Sequence, residues 1–290
     1  MHQETGIQSV TNKTITLSKR DFHRLKDFIY QECGIKLTDA KRIMLEARLQ
    51  KRLKILNINS FEEYVDYLFS PQGLDSEMIH MIDVVTTNKT DFFREPAHFD
   101  YLVNTVIPDL IKNHSNSIRK NLMIWSAGCS SGEEPYTIAM VLDGCLERYS
   151  GITYLILATD ISTRMLDTGK LGIYSADRIA HIEDTYRKRY FLKSKDRTKN
   201  LVRIIPELRA RVRFRRLNFM EGDFGFREPM DIIFCRNVII YFDKQIQERL
   251  LQKFCHYLSP GAYLFMGHSE TLFGMNLPLI QVAPTVYKRI

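Results

Sequence analysis

The stretch Leu122 to Tyr136, LMIWSAGCSSGEEPY, constrains this chain more than any other. An apolar run of strand character enters a loop of small residues bounded by Gly128 and Gly132, and a helix then opens on Glu133, Glu134 and Pro135. Proline suits the first helical turn, where its missing N–H leaves nothing unpaired. A buried strand feeding a glycine-bounded turn and a helix start is how α/β proteins admit a nucleotide-like ligand. Glycine allows close backbone approach, and the helix start offers unpaired N–H groups. About twenty residues further on, LILATD (Leu155 to Asp160) sets an acid at the end of a second apolar strand, where a ribose diol needs its acceptor. These residues imply a nucleoside cofactor.

From this point strands at 122–127, 153–159, 211–217, 230–236 and 262–267 alternate with helices at 133–148, from 162 and at 244–258, and a hairpin closes the chain near 279–289. Alternation predicts a mostly parallel sheet covered by helices. Pro260-Gly261 should break the last helix before its strand. Upstream, from Ser18 to about Thr86, the periodicity is helical. Ser18 and Thr38 are N-cap candidates, Gly34 ends the first helix, Ser60 and Glu63 have capping-box spacing, and a fourth helix runs from about Asp75 to Val85. Residues 1–15 read as a frayed polar end, 87–121 as a connection, and 172–210 as a less regular insertion.

A chain of 290 residues with 44% apolar content has room for one large or two ordinary domains and a sizeable core. Nothing approaches a membrane span, and MHQETGIQSVTNKT lacks a signal core, so neither insertion nor secretion is expected. The five cysteines are scattered without C-x-x-C or a Cys/His grouping, which argues against a disulfide framework and a zinc site and fits a reducing cytoplasm. The net charge of +7 sits in two islands: 12 Lys and Arg against 5 Asp and Glu over 13–56, and 13 against 2 over 187–216. Such islands suit nucleic acid, acidic lipid or an acidic protein surface. Beside the stripe Leu45, Leu49, Leu53 and Leu56 lies a flank of Lys41, Arg48, Lys51 and Arg52, either an ordinary solvated face or a dock for an acidic helix.

Ligands of open α/β sheets sit beyond the carboxyl ends of the strands. Those ends carry Glu133 after Gly132; Asp160; Asn218; and, in CRNVIIYF, Arg236, Asn237 and Tyr241. Each has a plainer alternative. Glu134 complements a helix dipole, Asp160 caps the next helix, and Tyr241 packs in the core. Gly128 to Gly132 also matches the G-x-S-x-G elbow of serine hydrolases, but those folds place several strands before the nucleophile and here only helices precede it. The loop is not G-x-G-x-x-G and no second mononucleotide half is visible, which disfavours a dehydrogenase. A methyltransferase sheet needs one nucleoside pocket only.

Five strings sharpen this reading: TTNKTDFFRE (Thr86 to Glu95), WSAGCSSGEEPYTIAM (Trp125 to Met140), ATDIS (Ala158 to Ser162), FCRNVIIYFD (Phe234 to Asp243) and LSPGAYLFMGHSET (Leu258 to Thr271). In this order and spacing, behind a helical bundle, the chain resembles the CheR family of chemotaxis receptor glutamate methyltransferases over nearly its whole length. The resemblance implies an N-terminal all-α receptor-docking domain (1–86) and a Rossmann-like methyltransferase domain (87–290). The second has a mostly parallel seven-stranded sheet and a small β-subdomain at 172–210. It implies a cytoplasmic enzyme moving a methyl group from S-adenosylmethionine to a glutamate on the cytoplasmic helices of a methyl-accepting chemotaxis receptor, leaving S-adenosylhomocysteine. Carried over by motif, Asn88, Thr90, Arg94 and Glu133 surround the methionine end of the cofactor, and Asp160 holds the ribose. Asn218, Phe219, Arg236 and Asn237 line the rest of the pocket, while Arg94 and Tyr241 face the carboxylate. No metal is implied. Some members dock a receptor tail peptide through a glycine-containing loop, and the matching loop here, LKSKDRTKNLVR (Leu192 to Arg203), has no glycine. That departure predicts recognition without the tail. An RNA methyltransferase and a non-catalytic adaptor remain as rivals; neither nucleic acid nor a membrane is the expected partner.

Overall fold

Side-chain alternation along the central strands organises the larger part of the molecule. The computed structural model describes residues 15–114, 121–196 and 198–290. The polar N-terminal stretch 1–14 and Arg197, in the loop lacking glycine, lie outside the described residues. The chain divides into two compact units, with the boundary inside the first helix, α1 (Lys19–Cys33): residues as far as Phe28 join Leu37–Val85, and Ile29–Lys36 join Thr86–Ile290.

In the first unit a 3-10 turn (Asp39–Lys41) leads into α2 (Arg42–Leu56), α3 (Phe61–Leu68), α4 (Pro71–Ser76) and α5 (Met78–Val85). Ser18 caps α1 by accepting from the Asp21 N–H at 3.0 Å. Thr38 precedes its turn without a side-chain cap. Ser60 accepts from the Glu63 N–H at 3.1 Å, but Glu63 reaches back to the Asn59 N–H, at 3.3 Å, rather than to that of Ser60. The single helix expected over Asp75–Val85 is two. Ser70 caps an extra short helix with Pro71 at its start, and a Cβ on Gly73 would lie 2.0 Å from the Tyr67 carbonyl oxygen, so only glycine permits the turn.

Leu45, Leu49 and Leu53 are buried as the helical stripe requires, and Leu56 is half-buried. Half of the basic flank is tied inward, while Lys51 stays exposed. Arg52 clamps the buried Glu77 with Nε and Nη2 at 2.8 and 2.6 Å, and Tyr64 donates to the same carboxylate at 3.0 Å. Arg48 donates to the Val85 carbonyl. Both arginines are ties within the helical unit, and burial beside Glu77 pushes the Tyr64 phenol well above its ordinary range.

The second unit begins with a correction. Residues 87–121 are not a mere connection: α6 (Ala97–Tyr101), a π-helical turn (Leu102–Val106) and α7 (Ile107–His114) bury Phe99, Leu102, Val106, Ile107 and Leu110. Pro108, a breaker by rule, is tolerated just after the wide turn, where the Ile107 N–H reaches back to the Leu102 carbonyl. Then follow β1 (Asn121–Ala127), α8 (Glu133–Leu146), β2 (Thr153–Asp160) and α9 (Thr163–Leu171). The insertion carries β3 (Ile173–Ser175), α10 (Asp184–Tyr190), β4 (Phe191–Lys193) and β5 (Leu201–Ile204). After it come α11 (Pro206–Ala210), β6 (Val212–Arg216), β7 (Met230–Cys235), α12 (Lys244–Tyr257), β8 (Leu258–Met266), β9 (Leu279–Ala283) and β10 (Val286–Arg289).

The main sheet has seven strands in the order β6-β2-β1-β7-β8-β10-β9, parallel through β8 and antiparallel at the C-terminal hairpin. Alternate residues feed two cores. Ile124, Ile232, Phe234 and Phe265 face one, and Trp125, Ile233, Cys235 and Leu264 the other. Each fully buried Phe, Ile or Leu adds about 1.5–3 kcal/mol, so helices must cover both faces, and β7 is buried at every position. Pro260-Gly261 does not separate helix from strand. It lies inside β8, at the register shift opposite Met230 and Ile232, with Gly261 at φ +78°.

The insertion forms a separate antiparallel sheet, β3-β5-β4. Its basic island is largely engaged by the chain itself. Arg189 pairs with Asp143 at 2.9 Å and with Glu147, Arg203 donates to the Leu171 carbonyl at 3.1 Å, and Arg216 to the Ile161 carbonyl at 3.2 Å. Among the described residues, no helix is long and apolar enough to cross a membrane.

Candidate active site

The strand order reverses between β1 and β7, and open α/β sheets take their ligands beyond the carboxyl ends of the strands at such a point. Gly128 and Gly132 take φ of +84° and +96° there. The Gly128 and Cys129 N–H groups donate to the Thr159 carbonyl at 2.8 and 2.9 Å, which draws the turn against β2. A Cβ on Gly128 would lie 2.5 Å from Val238 Cγ2, so glycine is required where the turn meets the segment after β7. Cys129 and Cys235 are wholly buried, and burial pushes both thiols well above their usual range.

Asp160 ends β2 half-exposed. Its Oδ2 accepts from the Ser130 N–H at 2.8 Å and its Oδ1 from the Ser162 N–H at 2.9 Å. The cap of α9 is Ser162, which accepts from the Met165 N–H, so Asp160 is a cross-tie between two strand ends and not the helix cap. Ser130 also donates its hydroxyl to the Asn88 carbonyl at 2.9 Å, bringing the Asn88 segment to the same turn. The Asn88 side chain itself donates to Thr86 Oγ1 at 3.2 Å.

Glu133 is fully buried at the start of α8, accepting from Ser131 Oγ at 2.7 Å and lying 2.6 Å from Arg178 Nη2. Burial raises its carboxyl, while the Ser131 hydroxyl and the Arg178 charge oppose the rise. Arg178, from the insertion, donates to the Thr90 carbonyl at 2.6 Å as well. It was invisible to motif reading because it stands alone in an irregular stretch. It brings a cation into the cluster formed by Thr90 and Glu133.

The segment carrying Arg94 is tightly bent, with Phe93 and Glu95 at φ +54° and +58°. Left-handed backbone costs such residues roughly 1–2 kcal/mol each, and the surroundings hold it in place. Thr137 Oγ1 accepts from the Phe93 N–H at 3.1 Å, His181 Nε2 donates to the Phe92 carbonyl at 2.9 Å, and Glu95 Oε1 accepts from the His268 N–H at 3.2 Å. Arg236 is the central post. Its Nη1 donates to the Arg94 carbonyl at 2.6 Å, its Nε to Glu134 at 2.7 Å, and its guanidinium lies over the Phe99 and Phe234 rings. Glu134 therefore does more than complement a helix dipole: buried, it neutralises Arg236 and accepts from Ser126 Oγ at 2.7 Å. The half-buried Arg94 side chain donates to the Lys89 carbonyl at 3.2 Å.

Asn218 sits beyond β6 with both ends of its side chain tied, Nδ2 to the Glu32 carbonyl at 2.6 Å and Oδ1 to the Met220 N–H at 3.0 Å. Phe219 packs edge-on against Trp125, Phe242 and Phe254. Past β7, Asn237 takes φ +60°, and its Oδ1 is buried without a hydrogen-bond partner. Tyr241, half-buried, ends a 3-10 turn (Ile239–Tyr241) and accepts on its carbonyl from the Lys36 N–H at 3.0 Å. Beneath this turn lies Glu270, 4% exposed, which accepts from the N–H groups of Asn237, Val238, Ile239 and Gly267 at 2.7–2.9 Å. Burial raises its carboxyl against those backbone donors. Glu270 was not among the residues singled out by motif, although it lies within one of the strings.

Glu95, His98 and His268 bring ligand atoms within 4.8 Å of one another. Yet His98 Nδ1 faces Arg236 Nη1 at 3.3 Å, whose fixed charge disfavours a cation in their midst. Burial and then Arg236 hold His98 down to about 4. The site's notable acceptors are thus the Asp160 carboxylate, the Glu133 carboxylate and the orphaned Asn237 amide oxygen. That set matches a ligand rich in donors, such as ribose hydroxyls, an amino-acid ammonium and an exocyclic amine.

The chain matches two family models. Residues 20–86 match "CheR methyltransferase, all-alpha domain" and residues 88–288 match "CheR methyltransferase, SAM binding domain". A Borreliella burgdorferi protein named chemotaxis protein methyltransferase is 40% identical over 97% of this chain and 98% of its own length. Proteins of the same name from Klebsiella aerogenes and Escherichia coli are 38% and 35% identical, over 94% and 98% of this chain and 90% and 96% of theirs.

Proposed function

The chain belongs to the CheR methyltransferase family, and from that premise we propose that it methylates glutamate side chains on the cytoplasmic helices of a chemotaxis receptor, with Arg94 and Tyr241 orienting the carboxylate. It is an S-adenosylmethionine-dependent methyltransferase of chemotaxis. The observation that carries the site assignment is the gathering of Asp160, Glu133 and the Asn88–Arg94 segment around one glycine-bounded turn at the sheet's switch point.

S-adenosylmethionine supplies a methyl group already activated by its sulfonium. A glutamate needs no base, since its reference pKa of about 4.3 leaves it ionised at neutral pH. The chain's task is alignment, holding reacting atoms at roughly 3–3.5 Å. In this reading Asp160 accepts from the ribose hydroxyls, and Glu133 with the Thr90 segment receives the methionine end. Asn237 Oδ1 takes a donor it otherwise lacks, and Asn218, Phe219 and Arg236 shape the walls from behind. Arg94 forks onto the incoming carboxylate and Tyr241 donates one hydrogen bond. Both orient more than they activate, because binding that oxygen too tightly would blunt its nucleophilicity. The receptor is taken as a cytoplasmic partner, recognised without its tail peptide.

Tritiated S-adenosylmethionine offered with a purified receptor cytoplasmic fragment, with RNA, or with neither tests the reading. Base-labile label on the receptor is expected; label on RNA, or none, rejects it. Arg94→Ala should lower turnover far more than cofactor affinity measured by calorimetry, and retained turnover would remove Arg94 from the role.

A further inference from the structure

We infer that Glu270 is a positioning residue for methyl transfer, its buried carboxylate setting the Asn237–Tyr241 turn and thereby the place of the Tyr241 hydroxyl. The inference rests on the reading of Tyr241 as the group that orients the substrate carboxylate.

Three consecutive N–H groups, those of Asn237, Val238 and Ile239, converge on Glu270, with Oε2 taking the first and Oε1 the other two. Successive backbone N–H groups in a turn that passes through a left-handed residue make a concave anion site. Asn237 at φ +60° is that residue. The anion is built in, because Glu270 comes from the loop after β8, and its Oε2 also receives the Gly267 N–H at 2.7 Å. The carboxylate thus joins the carboxyl ends of neighbouring strands β7 and β8. Gly267 leaves the room: a Cβ there would lie 2.8 Å from the Asn237 nitrogen and 2.9 Å from Glu270 Oε2.

Tyr241 begins two residues after the last anchored N–H, and two further ties reach the same turn. Gln247 donates to the Ile239 and Phe242 carbonyls at 2.8 and 3.1 Å, and the Lys36 N–H holds the Tyr241 carbonyl. Among the described residues, Glu270 is the side chain that accepts from the N–H groups at the turn's entrance, where the strained Asn237 would otherwise relax. Four N–H donors require an acceptor on both oxygens. An amide in place of the acid turns an NH2 group toward one pair of donors, and the entrance must open. Displacement of an aligning group by about 1 Å costs on the order of 100-fold in rate.

The test is a double-mutant cycle on the full chain, with tritiated S-adenosylmethionine and a purified receptor cytoplasmic fragment. Glu270→Gln is expected to lower kcat on the order of 10- to 100-fold, with KM for S-adenosylmethionine raised by a smaller factor because Asn237 shifts with the turn. In a Tyr241→Phe background the same substitution should cost less than about threefold, since the group it misplaces is gone. Gly267→Ala, whose Cβ would press on Asn237 and on the Glu270 carboxylate without removing either, should show the same dependence on Tyr241 and serves if Glu270→Gln does not fold. Backbone amide resonances of Asn237, Val238 and Ile239 should move upfield together in either variant. Full activity of both variants, or losses that simply add to that of Tyr241→Phe, overturns the inference. A harmless Tyr241→Phe instead overturns the reading of Tyr241 beneath it, and methyl transfer by the unaltered chain keeps that outcome separate from failure of the proposed activity.

Discussion

Replacing Glu134 by glutamine removes one charge from a buried pair and should destabilise the second unit strongly. The Arg236 and Glu134 side chains are 2% and 11% exposed, so water cannot take over the lost partner. Breaking such a pair costs about 3–5 kcal/mol, most of it the penalty of an uncompensated buried charge. Here the lower end applies. Glu95 Oε2 stays 3.6 Å from Arg236 Nη1, and the Phe99 and Phe234 rings lie 5.2 and 5.7 Å from the guanidinium carbon, so some compensation remains. A loss of about 3 kcal/mol corresponds to a melting shift of roughly 6–12 °C for a unit of this size. The exposed pair Arg189–Glu147 provides the control, since Glu147→Gln should cost about 1 kcal/mol or less. Calorimetry and urea titration of both variants decide the matter. If Glu134→Gln shifts the transition no more than Glu147→Gln, the account of Arg236 as the post beneath the Arg94 segment is wrong.

Other outcomes follow from the same geometry. Asp160→Ala should weaken S-adenosylmethionine binding about 10- to 100-fold by calorimetry, through loss of charge-assisted hydrogen bonds and of the tie to Ser130; unchanged affinity would remove Asp160 from the ribose. His98 is held down to about 4, against about 6.5 in an unfolded chain, so below pH 6.5 the unfolded state binds a proton that the folded state refuses. Stability should therefore fall as pH drops from 6.5 towards 4, by up to roughly 3 kcal/mol, and that slope in urea midpoints should flatten in His98→Gln. Glu77→Gln should destabilise the helical unit by about 3 kcal/mol, because Arg52 loses its buried partner, while leaving S-adenosylmethionine affinity unchanged; an unaltered unfolding curve would show that the Arg52 clamp contributes little.

The features legible in the sequence were those set by local chemistry. Strand β1, the glycines of its turn and the acid ending β2 announce themselves because each needs a particular residue type at a particular step. The Ser18 and Ser60 caps were readable for the same reason. The helical stretch Ala97–His114 was not, because Pro108 argues for a break and only the π turn before it makes the proline harmless. Pro260-Gly261 misled in the opposite sense, since a strand can absorb that pair at a bulge. Side-chain partners far apart in sequence were hidden altogether. Nothing local tells that Arg52 turns inward to Glu77, that Arg178 meets Glu133, or that Glu270 serves three N–H groups more than thirty residues upstream.

Cys129 lies in the glycine-bounded turn and Cys235 ends β7, and both are buried in the cores on either side of the sheet. With their protons held far above neutral pH, they offer no thiolate to alkylating reagents or peroxide. An inhibitor aimed at this turn would therefore have to compete for binding instead of trapping either cysteine.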